Sequence, residues 1–459
     1  MPRAIKLLLI ATTMGSVMGA LDIAIVNMAI KAITADFNSD VSDTQWVSTA
    51  YLLGQTMSIP LVAWLEARLG TRRLWVGVLA VFLVASVTCG FAWSLTALTA
   101  FRFIQGVASG FVMLLAPIIC MRATPPPLVA RVTAAMTMPL ALGSILGPPL
   151  AGVILSNASW RAVFFVNVPL AIAAIAVAFR NIPRDDPNDR GRRRPLDWVG
   201  TLLLVPGLAC LIQGLTNSYL PGGLTRLDSG VPLAAGLVLC IAFVAWSRRR
   251  GKRAVMDIGL LRDRTMALSA GLLTLQSAAF TGALLLLPFF VQTVTGFSVM
   301  MTAYLLIPQG LGMFLSRLAG SRLTDRFGLR VVGAAGFAVM CVTTVPFMFI
   351  DQSVSPWLIG GLLFVRGAGL GTTSIPVSAL PYLRLPRDQV PGASTLLRTA
   401  QQIGYSFGTA LCALALQASD VSPRIDDAYR VAFGLPVGIA FVAFVLCFFI
   451  DEGAKASHS

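Results

Sequence analysis

Residues 63–73 read Ala-Trp-Leu-Glu-Ala-Arg-Leu-Gly-Thr-Arg-Arg, and residues 321–330 read Ser-Arg-Leu-Thr-Asp-Arg-Phe-Gly-Leu-Arg. Both contain Leu-x-x-Arg-x-Gly, from Leu65 to Gly70 and from Leu323 to Gly328, 258 residues apart. Each copy follows a long apolar run and precedes another. A polar turn repeated in one setting marks an internal duplication, two halves built on one plan. Six spans with their loops need only about 200 residues at ~20 per span. The offset therefore leaves room for two further helices between the halves.

Composition agrees. Of 459 residues, 56% are hydrophobic and 12% charged, with mean hydropathy +0.79. Soluble domains run nearer 25% charged, so an ordinary soluble fold and a disordered chain are both excluded. The remaining class is an all-α polytopic membrane protein. Fourteen apolar stretches qualify as spans: 7–33, 45–66, 74–93, 96–119, 132–155, 161–180, 197–217, 231–247, 266–292, 299–319, 330–350, 357–380, 394–416 and 429–450. They divide into an N-terminal six-helix bundle over 1–180, a linker with two additional helices over 181–264, and a C-terminal six-helix bundle over 265–459. The charged stretches Arg180 to Asp197 and Arg248 to Arg264 bracket the insertion, whose helices are expected outside the two bundles.

With the N-terminus inside, 28 of the 35 Lys and Arg lie in or beside cytoplasmic segments. Five lie outside (Lys31, Arg161, Arg226, Arg424, Arg430) and two within spans (Arg102, Arg366). This bias sets both termini in the cytoplasm and accounts for the net charge of +15 without nucleic acid. Arg3 and Lys6 before an apolar run resemble the start of a signal peptide, but no small-residue cleavage site precedes Asp22, so this run is read as an uncleaved first span. The seven cysteines all lie in apolar runs, unpaired at metal-ligand spacing, and read as small core residues. The one histidine, His458, is next to the C-terminus. No catalytic residue, metal site or cofactor is expected, and no G-x-x-x-x-G-K-[ST] loop is present to bind a nucleotide.

Asp22 is the only one of the 20 acids well inside a span. A charge at that depth costs at least about 2.5–3.5 kcal/mol and needs a reason. Burial disfavours the charged carboxylate, which suits a group that takes up and releases a proton. The competing reading is a carboxylate locked in a salt bridge that only holds helices together. At 1.5 Å per residue, Asp22 lies roughly 8 Å below the outer edge of a ~30 Å core, and Arg102 roughly 10 Å down. Equal depth makes Arg102 the expected partner; an Arg bonded to carbonyls throughout is the alternative. Arg366, near mid-span 12, has no acid at its depth. Carbonyls and polar neighbours such as Gln276 and Gln309 satisfy it, or it faces the cavity and attracts an anionic group. In span 5, Gly143, Gly147 and Gly152 permit close helix approach, and Pro148 removes a backbone bond and kinks the helix. A bent helix of this kind can seal and open one end of a cavity.

These residues resemble the major facilitator superfamily, and within it the fourteen-span drug:proton antiporters. Span 1 has Leu21-Asp22-x-x-x-Val26-Asn27-x-Ala29, and span 2 opens Gln45-Trp46-Val47-x-Thr49-x-Tyr51. Span 4 has Arg102-x-x-Gln105-Gly106-x-x-x-Gly110, and span 5 has Gly143-x-x-x-Gly147-Pro148-x-x-Ala151-Gly152. Trp160-Arg161-x-x-Phe164-x-x-Asn167-x-Pro169 follows. The second half gives Leu287-Pro288-x-x-x-Gln292, Pro308, Asp325-Arg326-x-Gly328 and Arg366-Gly367-x-Gly369-x-Gly371. The resemblance implies two bundles, alternating access, neighbouring spans 1 and 4, and a cytoplasmic gate at Arg68, Gly70, Asp325, Arg326 and Gly328. The first gate loop departs from the pattern: Ala67 stands at the acid position, with Glu66 one residue earlier. Asp325 is expected to accept bonds at a neighbouring helix N-terminus, at roughly 1.5–3 kcal/mol, and Glu66 is not expected to substitute. Asn27, Tyr51, Gln55, Gln276, Gln309 and Arg366 are the polar residues expected to line the cavity.

The reading is a multi-pass cell-membrane antiporter, a monomer among membrane lipids, that exports lipophilic small molecules in exchange for protons. Export of an endogenous lipid or secondary metabolite by the same fold is the alternative, and a non-transporting sensor or scaffold is the third reading. The high ratio of Arg to Lys and the abundance of Ala fit a GC-rich bacterial genome.

Overall fold

The computed structural model describes residues 3–39, 41–59, 61–125, 128–182, 197–217, 227–251, 254–297, 299–350, 354–383, 385–386, 389–419 and 425–450. The charged stretch 183–196, Arg226, Arg424 and His458 lie outside the described residues.

Apolar sequence of this length satisfies its backbone internally as helix, and the described elements are all helical. They are α1 (Arg3–Asp36), α2 (Val41–Ser58), α3 (Val62–Leu69), α4 (Thr71–Gly90), α5 (Leu95–Ala123), α6 (Val129–Asn157), α7 (Ala162–Phe165) and α8 (Asn167–Asn181). Next come α9 (Trp198–Asn217), α10 (Leu227–Arg250), α11 (Arg264–Thr293), α12 (Val299–Phe327), α13 (Leu329–Thr344), α14 (Pro356–Ala379), α15 (Val390–Ser419) and α16 (Ile425–Cys447), with short 3-10 turns after α10, α13 and α14. Every stretch read as a span falls on helix, and nine described helices are long and apolar enough to cross a membrane. The second stretch is split between α2 and α3. The tenth is longer than its hydropathy indicates: α12 continues to Phe327, so Arg317, counted with the cytoplasmic-side charges, lies inside a helix and is buried.

The chain forms two units. Unit 1 is Met1–Leu128, Ala135–Thr201 and Pro386–Thr395; unit 2 is Val129–Ala134, Leu202–Leu385 and Leu396–Ser459. The division falls inside the expected linker, so α9 and α10 belong to unit 2 apart from the first turn of α9. These two helices pack on each other: a Cβ on Gly214 would meet Leu233 N at 2.6 Å, and one on Gly236 would meet Leu211 N at 2.6 Å.

Within each unit the same seam recurs. In unit 1, α2 packs on α5 so closely that a Cβ on Gly54, Gly106 or Gly110 would lie 2.3, 2.1 or 2.1 Å from Phe103 O, Tyr51 O and Ser58 Oγ. In unit 2, α12 packs on α14, and a Cβ on Gly312, Gly367 or Gly371 would lie 2.0, 2.0 or 2.1 Å from Phe364 O, Gln309 O and Ser316 Oγ. Partner for partner, α2 maps onto α12 with an offset of 258 residues and α5 onto α14 with one of 261. The repeated turn itself is reproduced: Gly70 and Gly328 have φ of 85° and 86°, a conformation that only glycine adopts without strain. Where lipid is as apolar as the side chains, such close packing replaces the hydrophobic effect as the force between helices.

The seam yields a test. Gly367→Ala drives a methyl into the Gln309 carbonyl and should cost about 1–3 kcal/mol. Gly361→Ala, on the same helix with nothing within 4 Å of its Cβ position, should be neutral. Thermal unfolding of the two purified variants against wild type checks this.

Candidate functional site

Asp22 and Arg102 meet inside unit 1, each 1% exposed. Glycine packing brings α5 against α2, and α1 packs on both α5 and α8, which carries Asp22 from α1 into reach of side chains from α5 and α8. Arg102 Nη1 donates to Asp22 Oδ2 at 2.6 Å. Asp22 Oδ1 accepts from Asn167 Nδ2 at 2.7 Å and from Gln105 Nε2 at 3.1 Å. Ser86 Oγ ties the amides together, accepting from Gln105 at 3.1 Å and Asn167 at 3.0 Å, and donates to Phe164 O at 3.0 Å. The guanidinium also donates to Val47 O at 3.3 Å and Gln105 Oε1 at 2.8 Å, and lies 4.0 Å from the centroid of the Tyr51 ring.

This arrangement places three donors around one buried carboxylate. A charged carboxylate only accepts, and each of these partners donates to it. Asn167 and Gln105 are neutral and went unmarked as site residues, although both stand in the quoted motifs; hydrogen-bonding capacity at depth was the available signal.

Five of the six residues expected to line a cavity are buried. Tyr51 Oη donates to Ser109 Oγ at 2.7 Å, and Gln55 Nε2 to the same oxygen at 3.1 Å. Gln276 Nε2 bonds Leu370 O, Thr373 Oγ1 and Ser374 Oγ; its Oε1, like that of Gln309, is buried and unbonded among the described residues. Asn27 is the exposed member and accepts from Ser48 Oγ at 2.8 Å. Arg366 is 2% exposed. It bonds neither Gln276 nor Gln309, contrary to expectation. Nε donates to Thr344 Oγ1 and Nη2 to Ala279 O, both at 3.1 Å. The register explains this. Arg366 occupies on α14 the place of Gln105 on α5, and Thr344 the place of Ser86, so its hydroxyl contact repeats that of Gln105. Arg317, which falls within the stretch 299–319 but was not singled out, donates to Ser374 Oγ at 3.2 Å.

Of the helix-packing residues, Gly143 and Gly147 abut α1 at Ala20 and Ala24, where a Cβ would come within 2.9 and 2.4 Å. Gly152 faces open space. Helix α6 runs unbroken through Pro148, whose side chain lies outside the described residues. At the repeated turns, Glu66 is buried and bonds Arg122 and the hydroxyl of Thr71. Asp325 accepts from the guanidinium of Arg131, in the first turn of α6, at 3.3 and 3.4 Å. Arg131 belongs with unit 2. Arg68 and Arg326 are exposed and lie over the rings of Trp64 and Phe327. At the far end of α1, Asp36 accepts from Trp160 Nε1 at 3.0 Å and Arg161 Nη1 at 2.8 Å. These bonds, the Trp160 one first, hold its carboxyl below its ordinary value. The clamp is thus present at neutral pH and is lost as pH falls below the usual carboxylate range near 4.

The Asp22–Arg102 pair predicts non-additivity. Removing one partner of a buried pair costs about 3–5 kcal/mol because the other is left uncompensated. Asp22→Asn combined with Arg102→Gln should therefore cost at least about 1 kcal/mol less than the sum of the single changes, measured by unfolding in one detergent.

Comparison with known proteins agrees with this geometry. The sequence pattern of the Major Facilitator Superfamily matches residues 12–409. A multidrug resistance protein B homolog of Mycobacterium tuberculosis is 32% identical over 406 residues, covering 88% of this chain and 74% of that protein. The multidrug export protein EmrB of Escherichia coli is 26% identical over 408 residues, covering 88% of this chain and 78% of its own. The crystal structure of the human organic anion transporter MFSD10 superposes with a TM-score of 0.68 at 14% identity, covering 97% of this chain and all of that one, a likeness of fold.

Proposed function

This chain belongs to the Major Facilitator Superfamily, and on that footing we propose that it is a proton-driven antiporter that exports lipophilic small molecules, with Asp22 as the protonation site. One observation carries the proposal: a carboxylate buried at membrane depth, held by Arg102, Gln105 and Asn167. A helix-bundle protein without transport has no need of such a group, since an apolar replacement of a buried pair is often neutral or stabilising. Drug export is favoured over export of an endogenous lipid by the relatives, which are multidrug resistance and export proteins of bacteria.

In this reading the chain crosses the bacterial cell membrane fourteen times with both termini in the cytoplasm. With Asp22 charged, α1, α5 and α8 are pinned together through the cage. A proton arriving from outside neutralises the carboxylate, frees Arg102 and the two amides, and lets α1 shift against α6 along the Gly143–Gly147 face. Substrate release and proton uptake are thereby coupled to one helix rearrangement. Asp325 with Arg131 forms the gate contact of unit 2, and Glu66 with Arg122 fastens the first turn locally.

The test is drug-dependent proton flux in proteoliposomes. Asp22→Asn should abolish it in protein that is still folded and inserted; full flux in that variant contradicts the proposal. The gate residues give a second expectation. Asp325 and Arg131 have side chains 39% and 52% exposed, so their pair is worth about 0–1 kcal/mol, less than a charge-assisted bond at a helix end. Asp325→Asn should therefore shift the conformational ratio by no more than about fivefold, and Glu66→Gln should shift it less. Spin-label distances across the cytoplasmic side check both.

A further inference from the structure

Among the described residues no acid pairs with Arg366. Its partners Thr344 Oγ1 and Ala279 O are neutral, and Nη1 is buried with no hydrogen-bond partner among the described residues. Neutral dipoles satisfy donors but leave the net charge in place. Arg102, equally buried, differs in having Asp22.

The internal repeat shows that packing does not require this charge. Gln105 directly precedes Gly106 and bonds Ser86 Oγ at 3.1 Å; Arg366 directly precedes Gly367 and bonds Thr344 Oγ1 at 3.1 Å. Ser86 and Thr344 are related by the same 258 residues as Gly70 and Gly328. A neutral amide thus fills this position in unit 1. The repeat also places Leu363 at the position of Arg102. The place of Asp22 falls to Gln276: Asp22 lies between Ala20 and Ala24, which face Gly143 and Gly147, and Gln276 lies between Thr274 and Ala278, which face Gly404 and Gly408. Unit 2 therefore keeps a buried cation where unit 1 has a neutral side chain, and has an amide where unit 1 has its acid. No acid among the described residues of unit 2 pairs with Arg366, and an anion from outside the protein would supply the missing charge.

We propose that Arg366 binds a single negative charge, the acidic group of a transported molecule or an inorganic anion such as chloride, through Nη1, which has no acceptor among the described residues. The inference rests on the exporter reading and narrows its substrate class. With an acidic substrate, Nη1 donates to one carboxylate oxygen while Thr344 and Ala279 hold the guanidinium plane.

The experiment measures binding of 1-pyrenebutyrate and of its methyl ester to the purified full-length chain in chloride and in gluconate buffer. Arg366→Gln and Arg366→Lys are run in parallel. Arg366→Gln inserts the side chain that unit 1 already accommodates. If the occupant is a substrate carboxylate, wild type binds the acid at least tenfold more tightly than the ester. Arg366→Gln then loses that preference with ester binding unchanged, and Arg366→Lys keeps part of it. If the occupant is chloride, acid and ester bind alike, and replacing chloride by gluconate lowers the melting temperature of wild type but not of Arg366→Gln. An acid preference and a chloride response both unchanged in Arg366→Gln overturn the proposal. Should both variants fail to fold, wild type decides: neither an acid preference nor a chloride-dependent melting temperature overturns it. None of these readouts depends on proton coupling. An exporter reading that fails at Asp22 is thus distinguishable from an anion site that fails at Arg366.

Discussion

A carboxylate buried in a helix bundle cannot be left to itself, and the fold of unit 1 is arranged around that constraint. Asp22 is met by a guanidinium from α5 and by amides from α5 and α8, and Ser86 on α4 holds both amides. The glycines along α5 are the structural condition for this. Only with α2 in backbone contact at Gly106 and Gly110 does Arg102 sit over Tyr51 and reach Asp22. The charge pair and the glycine seam are one device, in which backbone proximity places the guanidinium and the guanidinium offsets the cost of the carboxylate.

The duplication separates what packing needs from what chemistry needs. The seam glycines, the left-handed glycine of the turn and the hydroxyl beside the mid-helix polar side chain recur in unit 2. The acid does not. Its position carries Gln276, and the position of Arg102 carries Leu363 beside a phenylalanine cluster of Phe290, Phe347 and Phe433. Unit 1 carries the buried carboxylate, while unit 2 keeps the scaffold and has an arginine in place of an amide. In the proposed mechanism one unit handles protons and the other substrate charge, so the two tasks do not fall on one side chain.

Much of this was legible in the sequence. The Leu-x-x-Arg-x-Gly repeat gave the 258-residue offset that α2 and the repeated turn obey, and depth arithmetic, with spans 1 and 4 neighbours in the resembled fold, paired Asp22 with Arg102. What remained hidden has physical reasons. Arg317 falls within the stretch 299–319 yet was counted with the cytoplasmic-side charges because it stands two residues from the end of that stretch; α12 continues to Phe327 and buries it. Asn167 and Gln105 carry no charge, and only geometry shows an amide aimed at a carboxylate. Arg366 was assigned polar neighbours by residue type, whereas its contacts follow from its register, one residue before the seam glycine. Glu66 looked merely displaced, but its helix turns it onto Arg122 at the end of α5.

The central claim is that Asp22 changes protonation in the working range of the transporter. Infrared difference spectroscopy of the reconstituted protein across pH tests it most directly, with Asp22→Asn assigning the band. The account predicts a protonated-carboxyl stretch that appears as pH falls through the range in which transport operates and is absent in Asp22→Asn. A carboxylate at Asp22 that stays ionised throughout that range, while coupled transport proceeds, would contradict it.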